Sequence, residues 1–207
     1  MDENIAIEIV KKNIRSSFVA EKVLEHTTLV KDISTSIAKK INSNGTYFRK
    51  IDLNIIKISA ILHDIGREKN PPGTLHSLRH NISGQKIIEK EISMREKRLN
   101  GTNDQKTRSD LNDEISILKI CSKVCKTHIC VGFTEKEVKK YKLDLPENDY
   151  TPKSIYEKIV CYADKLADGK RKCTIDYSIE RFGKWLGEDY RKKVIRFDKS
   201  MKKLIRP

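Results

Sequence analysis

Five histidines stand in the 207-residue chain: His26, His63, His76, His80 and His128. A single histidine within a helical pattern is ordinarily a satisfied core or surface residue. His63 is different, because Asp64 follows it at the end of an apolar run, Ile61-Leu62-His63-Asp64-Ile65-Gly66-Arg67. Two ionisable side chains at the buried end of a helix are costly unless they are paired or hold a metal. Asp164 repeats the anomaly inside Ile159-Val160-Cys161-Tyr162-Ala163-Asp164-Lys165-Leu166. Neutral imidazole and carboxylate are ligands suited to iron, manganese, zinc or cobalt. On a continuing helix Asp64 turns about 100° from His63, so the two could serve adjacent ions.

The order His26, then His63-Asp64, then Asp164 resembles the H…HD…D pattern of the HD-domain superfamily of metal-dependent phosphohydrolases. His63-Asp64-Ile65-Gly66-Arg67 is similar to its HDIG subgroup, and within it to an archaeal branch of uncharacterised proteins. The likeness runs from about Ser16 to Gly169 and takes in His80-Asn81-Ile82-Ser83-Gly84, Thr127-His128-Ile129 and Asp149-Tyr150-Thr151-Pro152. The resemblance implies an all-α helical bundle and one or two divalent ions (Fe, Mn, Mg, Co, Ni or Zn). One ion would be held by His26, His63, Asp64 and Asp164; a second would be held by His80 and His128, with Asp64 shared. A single ion, with His80 and His128 only supporting it, is the alternative.

Paired divalent ions acidify a bound water and clamp the attacking and leaving oxygens of phosphoryl transfer. Charge developing on the phosphoryl oxygens calls for fixed cations. Arg67 and Lys165 are the first candidates beside the ligand Asp64, with Lys170 and Arg171 further along; each is also an ordinary helix-end charge. His76 and Asp168 are candidate substrate contacts, His76 sharing a face with His80 if the helix already runs there. A competing metal site is Cys121, Cys125, His128 and Cys130, although structural zinc sites favour two separated pairs of ligands. The five cysteines are an odd number and read as reduced thiols.

The elements that must carry these residues follow from helical periodicity. Residues 3–13 give a short start, and Ser17 to about Ile41 one long helix or two abutting ones. Asp52 caps a helix that Gly66 ends, and another runs from about Leu75 to Ile92. Residues 95–114, with Leu99 and Leu111 as their only large apolar side chains, predict a solvated polar insertion. Helices follow over 115–129 and Thr134–Tyr141, then one that Thr151-Pro152 opens and that runs through Ala167 to a stop at Gly169. No strand pair is expected. Residues 188–205 form an amphipathic helix with Val194, Phe197, Met201, Leu204 and Ile205 on one side, within a basic helical extension of about 174–207. The expectation is a single HD domain over 1–207, its core at about 16–169.

Composition sets the outer limits. Aromatic residues at 6% and nine glycines argue against an all-β fold. No apolar run approaches a membrane span, and the acidic start Met1-Asp2-Glu3-Asn4 is no signal peptide, so a soluble, cytoplasmic protein is expected. Half of the net charge of +14 lies in residues 191–207. Such charge attracts phosphate-bearing partners. Three functions stay open: hydrolysis of a small phosphorylated substrate such as a nucleotide, di-iron oxygenation by the same ligand order, and a non-catalytic regulatory or nucleic-acid-binding role using the basic C-terminal helix. Six intact ligand positions weigh against the last.

Overall fold

The apolar stripe that starts at Val19 runs unbroken to Ile41. In the computed structural model, which describes residues 1–206, it forms one helix, α2 (Ser17–Asn44). The Ser16 side chain accepts from the Val19 amide at its start, and Gly45 ends it at a φ of 63°. α1 (Glu3–Asn13) and α3 (Leu53–Leu62) open on Asp2 and Asp52, whose carboxylates accept from first-turn amides. α4 (His80–Asn100) and α5 (Gln105–Thr127) form a helical hairpin. α6 (Glu135–Lys140) and α7 (Ile155–Asp164) each begin with a reciprocal capping box, Thr134 with Glu137 and Ser154 with Glu157. α8 (Ile175–Leu186) and α9 (Glu188–Ile205) pack on each other at the end.

The apolar side chains gather into two clusters. One joins the later part of α2 to α7, α8, α9 and the Ile129–Phe133 segment. The other joins α1, the start of α2, α3, α4 and α5. Leu62 and Ile65, which flank His63-Asp64, belong to the second cluster, whereas Ile129, next to His128, belongs to the first. The polar residues singled out from the sequence therefore sit where the two clusters meet. Among the described residues no helix is long and apolar enough to cross a membrane.

Several local expectations change. Residues 95–114 are not an unstructured excursion: they are the tip of the α4–α5 hairpin, with Leu111 3% exposed. Buried Arg95 donates to Glu114 at 2.6 Å and Glu91 at 2.9 Å, and Lys12 donates to Glu91 at 2.9 Å. Arg95 and Glu114 are thus paired rather than solvated, while Lys97, Arg98, Lys106, Arg108, Asp110 and Asp113 of the same stretch remain exposed. α7 starts at Ser154, since Ser154 and Glu157 cap each other, and not at Thr151, whose hydroxyl donates to Asp149 instead. It stops at Asp164, and Ala167–Asp168 (β1) pairs antiparallel with Arg171–Lys172 (β2), contrary to the expectation of no strands. α3 stops at Leu62, four residues before Gly66, and a 3-10 turn covers Ile65–Glu68.

In α9, Val194 and Met201 are fully buried, and Phe197, Leu204 and Ile205 pack beside them. The lysines of that helix are not all alike. Lys193 donates to Gly132 O at 2.9 Å and Glu137 at 2.6 Å, and Lys202 donates at 2.7 Å to Asp198, which also accepts from the Tyr162 hydroxyl. Lys192, Lys199 and Lys203 are exposed. Met201→Ala is therefore expected to cost about 2–5 kcal/mol in urea unfolding. Replacing Lys192, Lys199 and Lys203 together by Gln should change the same measurement by no more than about 0.5 kcal/mol per site.

Candidate metal centre

Five elements each deliver one end or one turn to the same place. α2 contributes His26, the end of α3 contributes His63 and Asp64, the first residue of α4 is His80, His128 caps the end of α5, and Asp164 is the last residue of α7. The break in α3 matters here. Asp64 has left the helical conformation, with φ −102° and ψ 14°, so a turn rather than a continuing helix aims its carboxylate.

Each imidazole is held by the nitrogen that faces away from the centre. His26 Nδ1 donates to Gly169 O at 2.9 Å, His63 Nδ1 to Ala60 O at 2.7 Å, His80 Nδ1 to Ser77 O at 2.5 Å and His128 Nδ1 to Cys125 O at 2.8 Å. A carbonyl only accepts, so these bonds fix the proton on Nδ1 and leave each Nε2 with a lone pair unless the ring is charged. The four Nε2 atoms converge on the carboxylates. Asp64 Oδ1 lies 3.3 Å from His80 Nε2 and 3.2 Å from His128 Nε2, while Oδ2 lies 3.9 Å from both His26 and His63. Asp164 Oδ1 is 3.0 Å from His26 Nε2 and 3.7 Å from His63 Nε2. One oxygen of Asp64 thus faces each pair of histidines.

These donors fit a cation. His63 Nε2 is buried with no hydrogen-bond partner. His80 Nε2 and His128 Nε2 are 2.9 Å apart although both ring protons are engaged on backbone carbonyls, so two lone pairs confront each other. Burial, with the Arg67 charge adding to it, holds His80 well below the usual imidazole range, and burial likewise lowers His128. Burial also pulls on His26, but the hydrogen bond and charge of Asp164 outweigh it and raise that ring to about 9. Burial opposes ionisation of both carboxylates; Arg67 and His63 keep Asp64, and Lys165 and His26 keep Asp164, well below the ordinary range. His26, His63 and Asp164 form one group that could hold a metal, and His63, Asp64 and His128 another.

The remaining residues divide. Arg67 Nε forms an ion pair with Asp64 Oδ2 at 3.0 Å, and buried Lys165 donates to Asp164. Asp168 is at the rim, accepting from the Tyr177 hydroxyl at 3.3 Å, with Arg171 at 3.5 Å and Arg181 at 3.9 Å; Lys170 also lines the rim. His76 is not brought to the cluster. It precedes a 3-10 turn rather than extending α4, and its ring bonds Asp144 at 2.6 Å on the surface. The cysteines take no part in either group of metal-competent side chains. Cys121 lies against Ser59 and Cys125 donates to Leu62 O, and burial pushes the Cys121 thiol up to about 12 and raises Cys125 well above the ordinary thiol range. With His128 turned to Asp64, the cysteine-rich zinc alternative is overturned.

A cavity of about 830 Å³ opens onto the cluster, and one wall belongs to α8, through Tyr177, Ser178, Arg181, Phe182 and Trp185. Periodicity alone assigns no separate helix to 174–187; the four-residue spacing of Tyr177, Arg181 and Trp185 is the signal for α8 there.

An all-α bundle that brings four histidines and two aspartates together from five elements defines a class of metal-site protein. Residues 23–169 match the HD domain, and the chain belongs to that family. The superfamily comprises metal-dependent phosphohydrolases, and HD domains bind divalent metals. An uncharacterized protein of Methanocaldococcus jannaschii is 28% identical over 178 residues, 86% of this chain and 85% of that protein. A tRNA (cytidine(56)-2'-O)-methyltransferase of Thermoplasma volcanium is 26% identical over 99% of this chain, which spans 48% of that relative's length. The protein of the same name from Picrophilus torridus is 28% identical over 63% of this chain and 29% of its own length. No solved structure matches.

Gly66 explains how the turn after Asp64 can lie against the start of α4. A Cβ there would stand 2.5 Å from the Gly84 amide nitrogen and closer still to the His80 carbonyl oxygen. Both are backbone atoms that cannot swing aside. Gly66→Ala should therefore destabilise the protein by at least about 1–3 kcal/mol. It should also lower the metal content of the purified protein by separating Asp64 from His80, as read by denaturation and by elemental analysis.

Proposed function

We propose that the protein is a metal-dependent phosphohydrolase that cleaves the phosphate ester of a nucleotide or another small phosphorylated molecule. The observation that carries this reading is the convergence of four imidazole Nε2 atoms on two carboxylates, Asp64 buried and Asp164 partly so, at the floor of a cavity. His26, His63, Asp64 and Asp164 would hold one divalent ion; His80 and His128, sharing Asp64, would hold a second. Such ions supply Lewis-acid polarisation of the phosphoryl group and an acidified water.

The chain's own residues do the rest. Arg67 spends Nε on Asp64, and its terminal nitrogens make no hydrogen bond among the described residues while the side chain lines the cavity. They are free to meet phosphoryl oxygens, where an oriented cation is worth more in the transition state than in the ground state. Lys165, buried and anchored on Asp164, adds a fixed positive charge beside the same floor. Asp168, tied to Tyr177, Arg171 and Arg181, orients the rim that a substrate passes. Imidazole and carboxylate donors suit iron, manganese, zinc or cobalt, and elemental analysis identifies which is held.

A second reading places the phosphate on RNA. It is favoured by the match of nearly the whole chain to about half of a protein named as a tRNA methyltransferase. A phosphorylated oligoribonucleotide tested beside free nucleotides separates the two substrates.

The test pairs elemental analysis with phosphate release from a panel of phosphate esters. Wild-type protein should carry up to two transition-metal ions per chain and lose hydrolysis on chelation. Asp64→Ala should lose both metal and turnover, and His128→Ala should lose one ion. Arg67→Ala should keep its metal while kcat falls by about 10²–10³-fold. Oxygen uptake with an organic substrate and no phosphate release from any ester would overturn the reading in favour of oxygenation.

A further inference from the structure

The floor of the cavity lies within the stretch that matches the HD domain, but the α8 wall lies beyond residue 169, where that match ends. Ser178 and Phe182, the inner pair on this wall, serve Lys165: the Ser178 hydroxyl donates to Lys165 O at 2.8 Å, and the Lys165 ammonium sits 5.8 Å from the centre of the Phe182 ring. The outer three residues, Tyr177, Arg181 and Trp185, follow one another at single-turn spacing. They make a stripe about 12 Å long. Tyr177 is 44% exposed and Trp185 52% exposed, and Phe18, which α2 sends to the same rim, is 67% exposed.

Isolated exposed aromatic residues are ordinary. Here three of the five large hydrophobic side chains that the fold leaves exposed line one cavity. Cations interleave them: Arg181 stands between Tyr177 and Trp185, and Lys22 lies 5.8 Å from the centre of the Phe18 ring. Aromatic rings alternating with cations are the composition that stacks nucleobases while neutralising their phosphates. The concavity, which continues down to Arg67 and Lys165, favours a ligand that enters over a flat membrane surface that cannot. A volume of about 830 Å³ is of the size that holds a small ligand of this kind.

We infer that α8 and Phe18 form a base-stacking wall, with Trp185 and Tyr177 selecting phosphate esters that carry a nucleobase. The phosphate end of this inference rests on the phosphohydrolase reading; the ring end does not. A free mononucleotide and the phosphorylated end of a single strand present the same chemistry.

Trp185 is the only tryptophan of the chain, so its fluorescence reports on the wall directly. The purified protein is titrated with the four nucleoside 5′-monophosphates, a 5′-phosphorylated trinucleotide and ribose 5-phosphate, with affinities from calorimetry. The expected result is saturable quenching by ring-bearing ligands and none by ribose 5-phosphate. Trp185→Ala should weaken nucleotide binding about tenfold, Trp185→Phe should regain most of it, and ribose 5-phosphate affinity should shift less than twofold in either variant. Retained thermal unfolding shows that the half-exposed site has not cost the fold. Ribose 5-phosphate binding as tightly as the nucleotides, equal losses for both ligands in Trp185→Ala, or binding of anionic vesicles with no nucleotide bound would overturn the wall. Trinucleotide binding more than tenfold tighter than mononucleotide binding supports a strand end, and equal binding supports a free nucleotide. Phosphate release is followed in parallel. Nucleotides that quench Trp185 but release no phosphate remove the hydrolase reading and leave the wall, whereas equal hydrolysis of ribose 5-phosphate and nucleotides with Trp185 silent does the reverse.

Discussion

Four imidazoles point Nε2 at one another and at two carboxylates because a backbone carbonyl holds each ring by its opposite nitrogen. Gly169, Ala60, Ser77 and Cys125 supply those carbonyls. Three of the four lie three residues before their histidine, so the end of a helix or the turn that enters one provides the acceptor as a matter of local geometry. The bond sets both ring orientation and tautomer. Without it an imidazole at each position could satisfy its lone pair with a neighbouring donor, and the demand for a cation would disappear. The site's chemistry is therefore written into where helices stop.

Stopping helices at one place imposes packing constraints. The turn carrying Asp64 has to touch the first turn of α4, and only a residue without Cβ permits that approach. The segment after His128 needs an anchor as well. Tyr190 of α9 provides one, accepting from the Val131 amide and donating to Gly132 O from a fully buried position, and Lys193 reaches the same carbonyl. Charge that a composition count assigns to a polyanion-binding tail is in part structural. The exposed remainder, Lys192, Arg196, Lys199, Lys203 and Arg206, faces solvent.

The division of labour around the cavity has a physical logic. Buried carboxylates and lone pairs form the floor, where low dielectric strengthens their hold on a cation. The rim carries flat rings and cations, whose interactions tolerate water and discriminate by shape. α8 links the two, since its inner face steadies Lys165 and its outer face meets the solvent.

The helical class is legible from the residues alone, because apolar spacing is a local property: α2 and α9 appear where periodicity puts them, and α3 begins at its predicted cap but stops four residues early. The sequence also flagged His63, Asp64 and Asp164, because an ionisable side chain inside an apolar run is anomalous without any knowledge of its neighbours. What it could not supply were relations between distant segments. The 95–114 stretch looked unable to pack, since the partners of Arg95 on Glu91 and Glu114 exist only once the hairpin closes. The end of α7 at Asp164 depends on the small β-hairpin whose Gly169 carbonyl receives His26. His76 could share a face with His80 only on a continuous helix, and the 3-10 turn at Ser77–Arg79 breaks it. Tertiary structure decided which histidines face the centre, because that depends on backbone carbonyls and close approaches brought together from five elements.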